Sequence, residues 1–128
     1  MITDKVKSFE DACAVLGIAP ESVIPYANPK DQEEVATNAY RKLTTIAKAL
    51  NEGWEPNWND HDEWKYQPWF QVEASEEKPV GSGFSNSDCV IWSAITYVGS
   101  RLCFKSRELA LYAGKQFADL YKDYLLFS

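Results

Sequence analysis

Residues 31–53 constrain the fold more than any other part of this chain. Val35, Ala36, Ala39, Tyr40, Leu43, Ile46, Ala47 and Leu50 recur at spacings of one and three, which puts them on one stripe of an α-helix. Asp31 and Glu34 stand three apart at its start and predict a capping box. Gly53 is the expected stop, and Arg41, Lys42 and Lys48 are expected to face water. A helix with one long apolar stripe must bury that stripe against another element, so the chain requires a layered domain.

A second, shorter helix is predicted over 8–16. Ser8 caps it, Asp11 completes a capping box, and Phe9, Ala12, Cys13 and Leu16 share a face before Gly17 ends it. Pro20, Pro25 and Pro29 make the next dozen residues turn-like, with one helical turn expected near 21–24. Strands are predicted over 67–74 and 88–98. Pro68 restricts the first to a strand start or a sheet edge, and β-branched residues dominate the second. Gly99-Ser100 is expected to turn the chain into a third strand, 101–105. Ser106 then caps a last long helix, with Leu109, Ala113, Phe117, Leu120, Tyr121 and Tyr124 as its buried stripe and Gly114 marking close packing. The expected architecture is α+β: two long helices and a short N-terminal helix packed on a three-stranded antiparallel sheet. The length and the absence of a linker lead to the expectation of a single α+β domain, 1–128.

Composition narrows the function classes. At 45% hydrophobic residues a core can form without metals or disulfides. A formal net charge of −6, with no dense Lys/Arg cluster, argues against nucleic acid as a partner. Cys13, Cys89 and Cys103 are odd in number, lack zinc or CxxC spacing and sit among apolar neighbours, so they are expected as small buried hydrophobes in a reducing cytoplasm. No apolar run is long enough for a membrane span and the N-terminus carries no leader pattern, so no membrane partner is expected.

The most unusual stretch is 54–70. Trp54, Trp58, Trp64 and Trp69, with Tyr66 and Phe70, alternate with Asn57, Asn59 and Asp60 in an acidic, aperiodic loop. Flat rings can stack on sugars, bases or a partner's apolar anchor, while Asn and Asp give directional hydrogen bonds. The competing reading has the rings pinning an irregular loop to the core. Within the same loop, Asp60, His61 and Asp62 are a weak alternative metal site, because neighbouring residues seldom converge on one ion and no HExxH or HxH pattern exists. Gly81-Ser82-Gly83 lacks the pattern of a phosphate loop. Arg101, Lys105 and Arg107, near the expected N-terminus of the last helix, are a candidate anion site. The strand 88–98 is apolar on both faces, which makes a homo-oligomer or a subunit role an alternative. No spacing singles out catalytic carboxylates or a cysteine–histidine pair, and no cofactor is called for.

The run from Ala49 to Trp58, the Pro68-Trp69-Phe70 patch, and the segment Val98–Ser106 continuing to Ala113-Gly114-Lys115-Gln116-Phe117 resemble a group of short uncharacterised proteins from gut bacteria and their phages and prophages. The likeness covers most of residues 31–127. It implies a phage or mobile-element setting, hence the host cytoplasm or a phage particle, and brings no activity and no site residues with it. The expectation is therefore a non-catalytic binding module built on the 54–70 loop, with a protein or a small ligand as partner. A metal-assisted hydrolase at Asp60-His61-Asp62 and a structural phage subunit are the alternatives.

Overall fold

A computed structural model describes residues 1–60, 62–71, 85–93 and 101–125. The fold is α+β. Helices α1 (Ile2–Lys5), α2 (Phe9–Leu16) and α3 (Gln32–Asn51) come first, with a 3-10 turn at Pro20–Ser22. Strands β1 (Trp64–Gln71) and β2 (Ser85–Ser93) follow, then helices α4 (Arg107–Gln116) and α5 (Ala118–Leu125).

The N-caps form as read, but the capping boxes do not. The Ser8 hydroxyl accepts from the amide of Asp11, and the Asp31 carboxylate from the amide of Glu34. The return bonds fall one residue earlier than a capping box would place them. Asp11 accepts from Lys7 N–H and Glu34 from Lys30 N–H. Gly17 closes α2 in the left-handed region, at φ 71°. α3 is the central element and packs against both α2 and α5. Leu43, Ile46, Ala47 and Leu50 are buried with Val6, Phe9, Cys13, Phe104, Ala113 and Tyr121 in one core. Lys42 is less exposed than expected, its ammonium lying 5.6 Å from the Phe9 ring.

Three expectations are corrected. The stop of α3 is not Gly53 alone: Glu52 itself takes the left-handed conformation at φ 51°, followed by Gly53 at φ 91°. The last helix is split at Phe117 (φ −113°, ψ 28°), a buried ring at which the chain bends so that α4 packs on the strands and α5 on α3. The segment 101–105 is not a hairpin strand beside β2. It turns, and Phe104 alone makes a two-bond bridge to Tyr66 on the far edge of β1. Among the described residues the sheet has two strands.

β1 and β2 are antiparallel, with Tyr66 opposite Ile91 and a register shift between Trp69 and Phe70. β1 begins three residues before the expected position, and β2 likewise starts at Ser85 rather than at residue 88. Tyr66 directs its N–H and C=O at Phe104, so Pro68, two residues on, turns its missing donor to that same outer edge. Pro68 therefore leaves the β1–β2 ladder intact, as the edge reading required. Residues 94–98, the Gly99-Ser100 turn, Gly81-Ser82-Gly83 and the end of the first expected strand, 72–74, lie outside the described residues. Cys13 and Cys103 are buried and without disulfide.

Candidate functional site

A cleft of about 630 Å³ opens beside α3, and its walls come from three segments. Tyr40, Arg41, Thr44, Ala47, Lys48 and Asn51 follow one another at helical spacing and form a continuous stripe along α3. The consecutive left-handed residues Glu52 and Gly53 then reverse the chain, helped by the bond from Trp54 N–H to Asn51 C=O. That reversal brings Trp54, Glu55, Pro56 and Trp58 across from the helix as the second wall. Arg101 and Cys103 supply the third.

Asn51 fixes the third wall. Its side-chain N–H donates to Cys103 C=O at 2.9 Å, and its side-chain oxygen accepts from Lys105 N–H at 3.0 Å. The buried amide therefore has partners at both ends, across more than fifty residues of chain. Lys105 also reaches Glu52 at 3.5 Å, so the α3 terminus and the 103–105 segment are tied by side chain and backbone alike.

Lys65 fixes the second wall. Its side chain is 0% exposed, and its ammonium donates to the carbonyls of Asp60 and Glu63 at 3.3 and 3.2 Å. The Glu63 carboxylate closes the ion pair at 3.0 Å and also accepts from Asn57 N–H at 2.7 Å. The Trp58 ring centroid lies 5.1 Å from the same ammonium. Trp58 thus belongs to both the cleft and the lysine cage. The irregular loop is wound around one buried cation, and that cation sets where an indole of the cleft stands.

The expected site residues divide. Trp54 and Trp58 line the cleft, each part-buried. Trp64 is 56% exposed at the start of β1 and does not line it. Trp69 pairs through its backbone with Asp88, and its side chain is outside the description. Asn57, Asn59 and Asp60 are exposed and stitch the loop: Asn57 accepts from Asn59 N–H, and Asp60 accepts from Asp62 N–H, both at 3.0 Å. His61 is not described, and the described residues hold no cluster of three metal-ligating side chains. Of the Arg101, Lys105, Arg107 group, Arg101 turns to the cleft and Lys105 to Glu52.

Sequence reasoning missed Tyr40, Arg41, Lys48 and Asn51 as cleft residues. The available signal was their spacing of one, eight and eleven along a helix that runs straight into the Trp-rich segment. Among the described residues no helix is long and apolar enough to cross a membrane. Comparison of the chain with protein-family models, with curated proteins and with solved structures found no match.

Proposed function

We propose that the protein is a non-catalytic binding module whose cleft between α3 and the 54–58 segment takes a small planar ligand. The observation that carries this reading is the convergence of two indoles, Trp54 and Trp58, and the Tyr40 phenol on one concave space of about 630 Å³. That volume falls within the range of small-molecule sites, and part-buried rings with a few polar groups are their usual lining. The walls are held before any ligand arrives, by Asn51 on one side and the Lys65 cage on the other. Preorganisation of this kind lowers the ordering cost of binding. The setting proposed with it is the one the sequence resemblance implies, the cytoplasm of a bacterial host.

Nuclear magnetic resonance tests it, because the chain has only five tryptophans and each indole N–H gives one resolvable signal. A set of flat aromatic fragments, neutral and charged, should shift the Trp54 and Trp58 signals and leave that of exposed Trp64 in place. Trp54→Ala should remove the response with the melting temperature little changed. If no fragment moves either cleft indole, the proposal fails.

A further inference from the structure

We infer that the ligand of this cleft joins a flat ring to an anionic group and is of the nucleoside monophosphate class. The inference rests on the binding-module reading and narrows it. The chain carries 19 acids against 13 Lys and Arg, and the stretch that supplies the second wall belongs to its most acidic part. Yet the cleft reverses the sign, presenting Arg41, Lys48 and Arg101 against Glu55 alone. Arg41 and Lys48 are two helical turns apart on one stripe, and Arg101 comes from the third wall, so two of the three walls carry cations.

Their bonding points the same way. Arg41 donates through Nε to Val23 C=O at 3.2 Å, which anchors the guanidinium and leaves its two terminal nitrogens for another acceptor. Lys48 and Arg101 have no ion-pair partner among the described residues. Arg41, Lys48 and Arg101 are exposed, but cations gathered around one concave space favour an anion there more than the same charges on a flat surface do. Guanidinium groups match a phosphate's oxygens in pairs. The indoles alongside offer the stacking surface for a base. The net charge of −6 repels a polyanion, so the ligand is a single nucleotide and not a nucleic-acid strand.

Titration calorimetry, with the indole signals as a second readout, tests this on the full chain. The probes are AMP, GMP, CMP and UMP, the four matching nucleosides, ribose 5-phosphate and a ten-residue oligodeoxythymidine. At least one monophosphate should bind about tenfold or more tighter than its nucleoside and than ribose 5-phosphate, with affinity falling as salt rises. Arg101→Gln and Lys48→Gln, at exposed positions, should each weaken that monophosphate about fivefold or more relative to its nucleoside. Nucleosides binding as tightly as monophosphates would overturn the inference. So would neutral fragments moving the cleft indoles while all four monophosphates do not; in both cases the binding module itself stands. Tighter binding of the oligonucleotide than of any monophosphate overturns the single-nucleotide assignment. If no ring-bearing probe or fragment moves the cleft indoles, the inference falls together with the binding module.

Discussion

Lys65 shows how much one residue can organise. In sequence it is a lysine between two aromatic residues in an acidic run, which reads as a solvated charge. In the structure it is fully buried, held by two carbonyls, one carboxylate and one indole. Nothing in composition encodes that, because the cage depends on the turn at 57–63 bringing the Asp60 and Glu63 carbonyls together. Lys65→Met keeps the volume of the stem and removes the donors. It leaves the two carbonyls and the Glu63 carboxylate short of a partner, and is expected to destabilise the fold by about 1–3 kcal/mol. Glu63 is partly exposed, which keeps the loss toward the lower part of that range. Urea denaturation followed by tryptophan fluorescence measures it. Adding Glu63→Gln to Lys65→Met should recover part of the loss, since the orphaned charge disappears. A double variant as unstable as the sum of the singles would show that the ion pair couples nothing. Asn51 was illegible for a related reason: its partners at 103 and 105 are remote in sequence, and only the folded chain reveals why a polar side chain ends a buried helical stripe.

At the scale of elements, what was legible was local. The starts of α2 and α3 are written in Ser8 and Asp31, because a cap is settled within three residues. The end of α3 was only half legible. Gly53 announces a left-handed residue, but the chain needs two in succession to swing Trp54 back over α3, and Glu52 takes the first. This gives paired expectations of opposite sign. Glu52→Gly relieves the left-handed strain and should stabilise the protein by about 0.5–1 kcal/mol, less the small contribution of the exposed ion pair to Lys105. Gly53→Ala should destabilise it by about 1 kcal/mol or more, through backbone strain alone, since a Cβ there would touch nothing. Thermal melts of the two variants should move in opposite directions; a shared direction would mean that the reversal does not set the stability of the α3 terminus. The break at Phe117 was hidden by periodicity: its apolar spacing continues through the bend, because the same ring caps the packing of α4 and starts that of α5. The lone bridge at Phe104 was hidden because alternation identifies a strand-like residue but not which strand it meets.

The whole molecule is closed by side chains of the C-terminal helices, and two tyrosines there have different tasks. Tyr112 places its hydroxyl between the carbonyls of Thr3 and Val6, and Gln116 donates to Lys7 C=O, so α4 holds the N-terminal segment in place. Tyr121 is buried against Phe70, with ring centroids 5.0 Å apart, and its hydroxyl makes no hydrogen bond to the described residues. At neutral pH, Tyr112→Phe should cost about 1 kcal/mol, since the buried Val6 carbonyl loses its donor. Tyr121→Phe should be neutral or mildly stabilising, because it removes a buried polar atom that gains no bond from the described residues. Alkaline pH separates them further. Both phenols are held above the ordinary value: Tyr121 far above it, by burial and then by the neighbouring Cys103, and Tyr112 by burial and then by Asp11 and Asp4. A phenol that keeps its proton in the folded state but yields it at about pH 10 once unfolded makes unfolding release a proton. The stability contribution is complete below pH 10 and is lost as the pH climbs toward the folded value. Wild-type stability should therefore decline steeply above pH 10. Tyr121→Phe should flatten that decline more than Tyr112→Phe, because the folded state strips the more deeply buried phenol least readily. Urea midpoints from pH 8 to pH 11.5 give both slopes. Equal slopes for Tyr121→Phe and wild type would show that this phenol titrates as freely in the folded chain as outside it, and that the core beneath β1 is open to water.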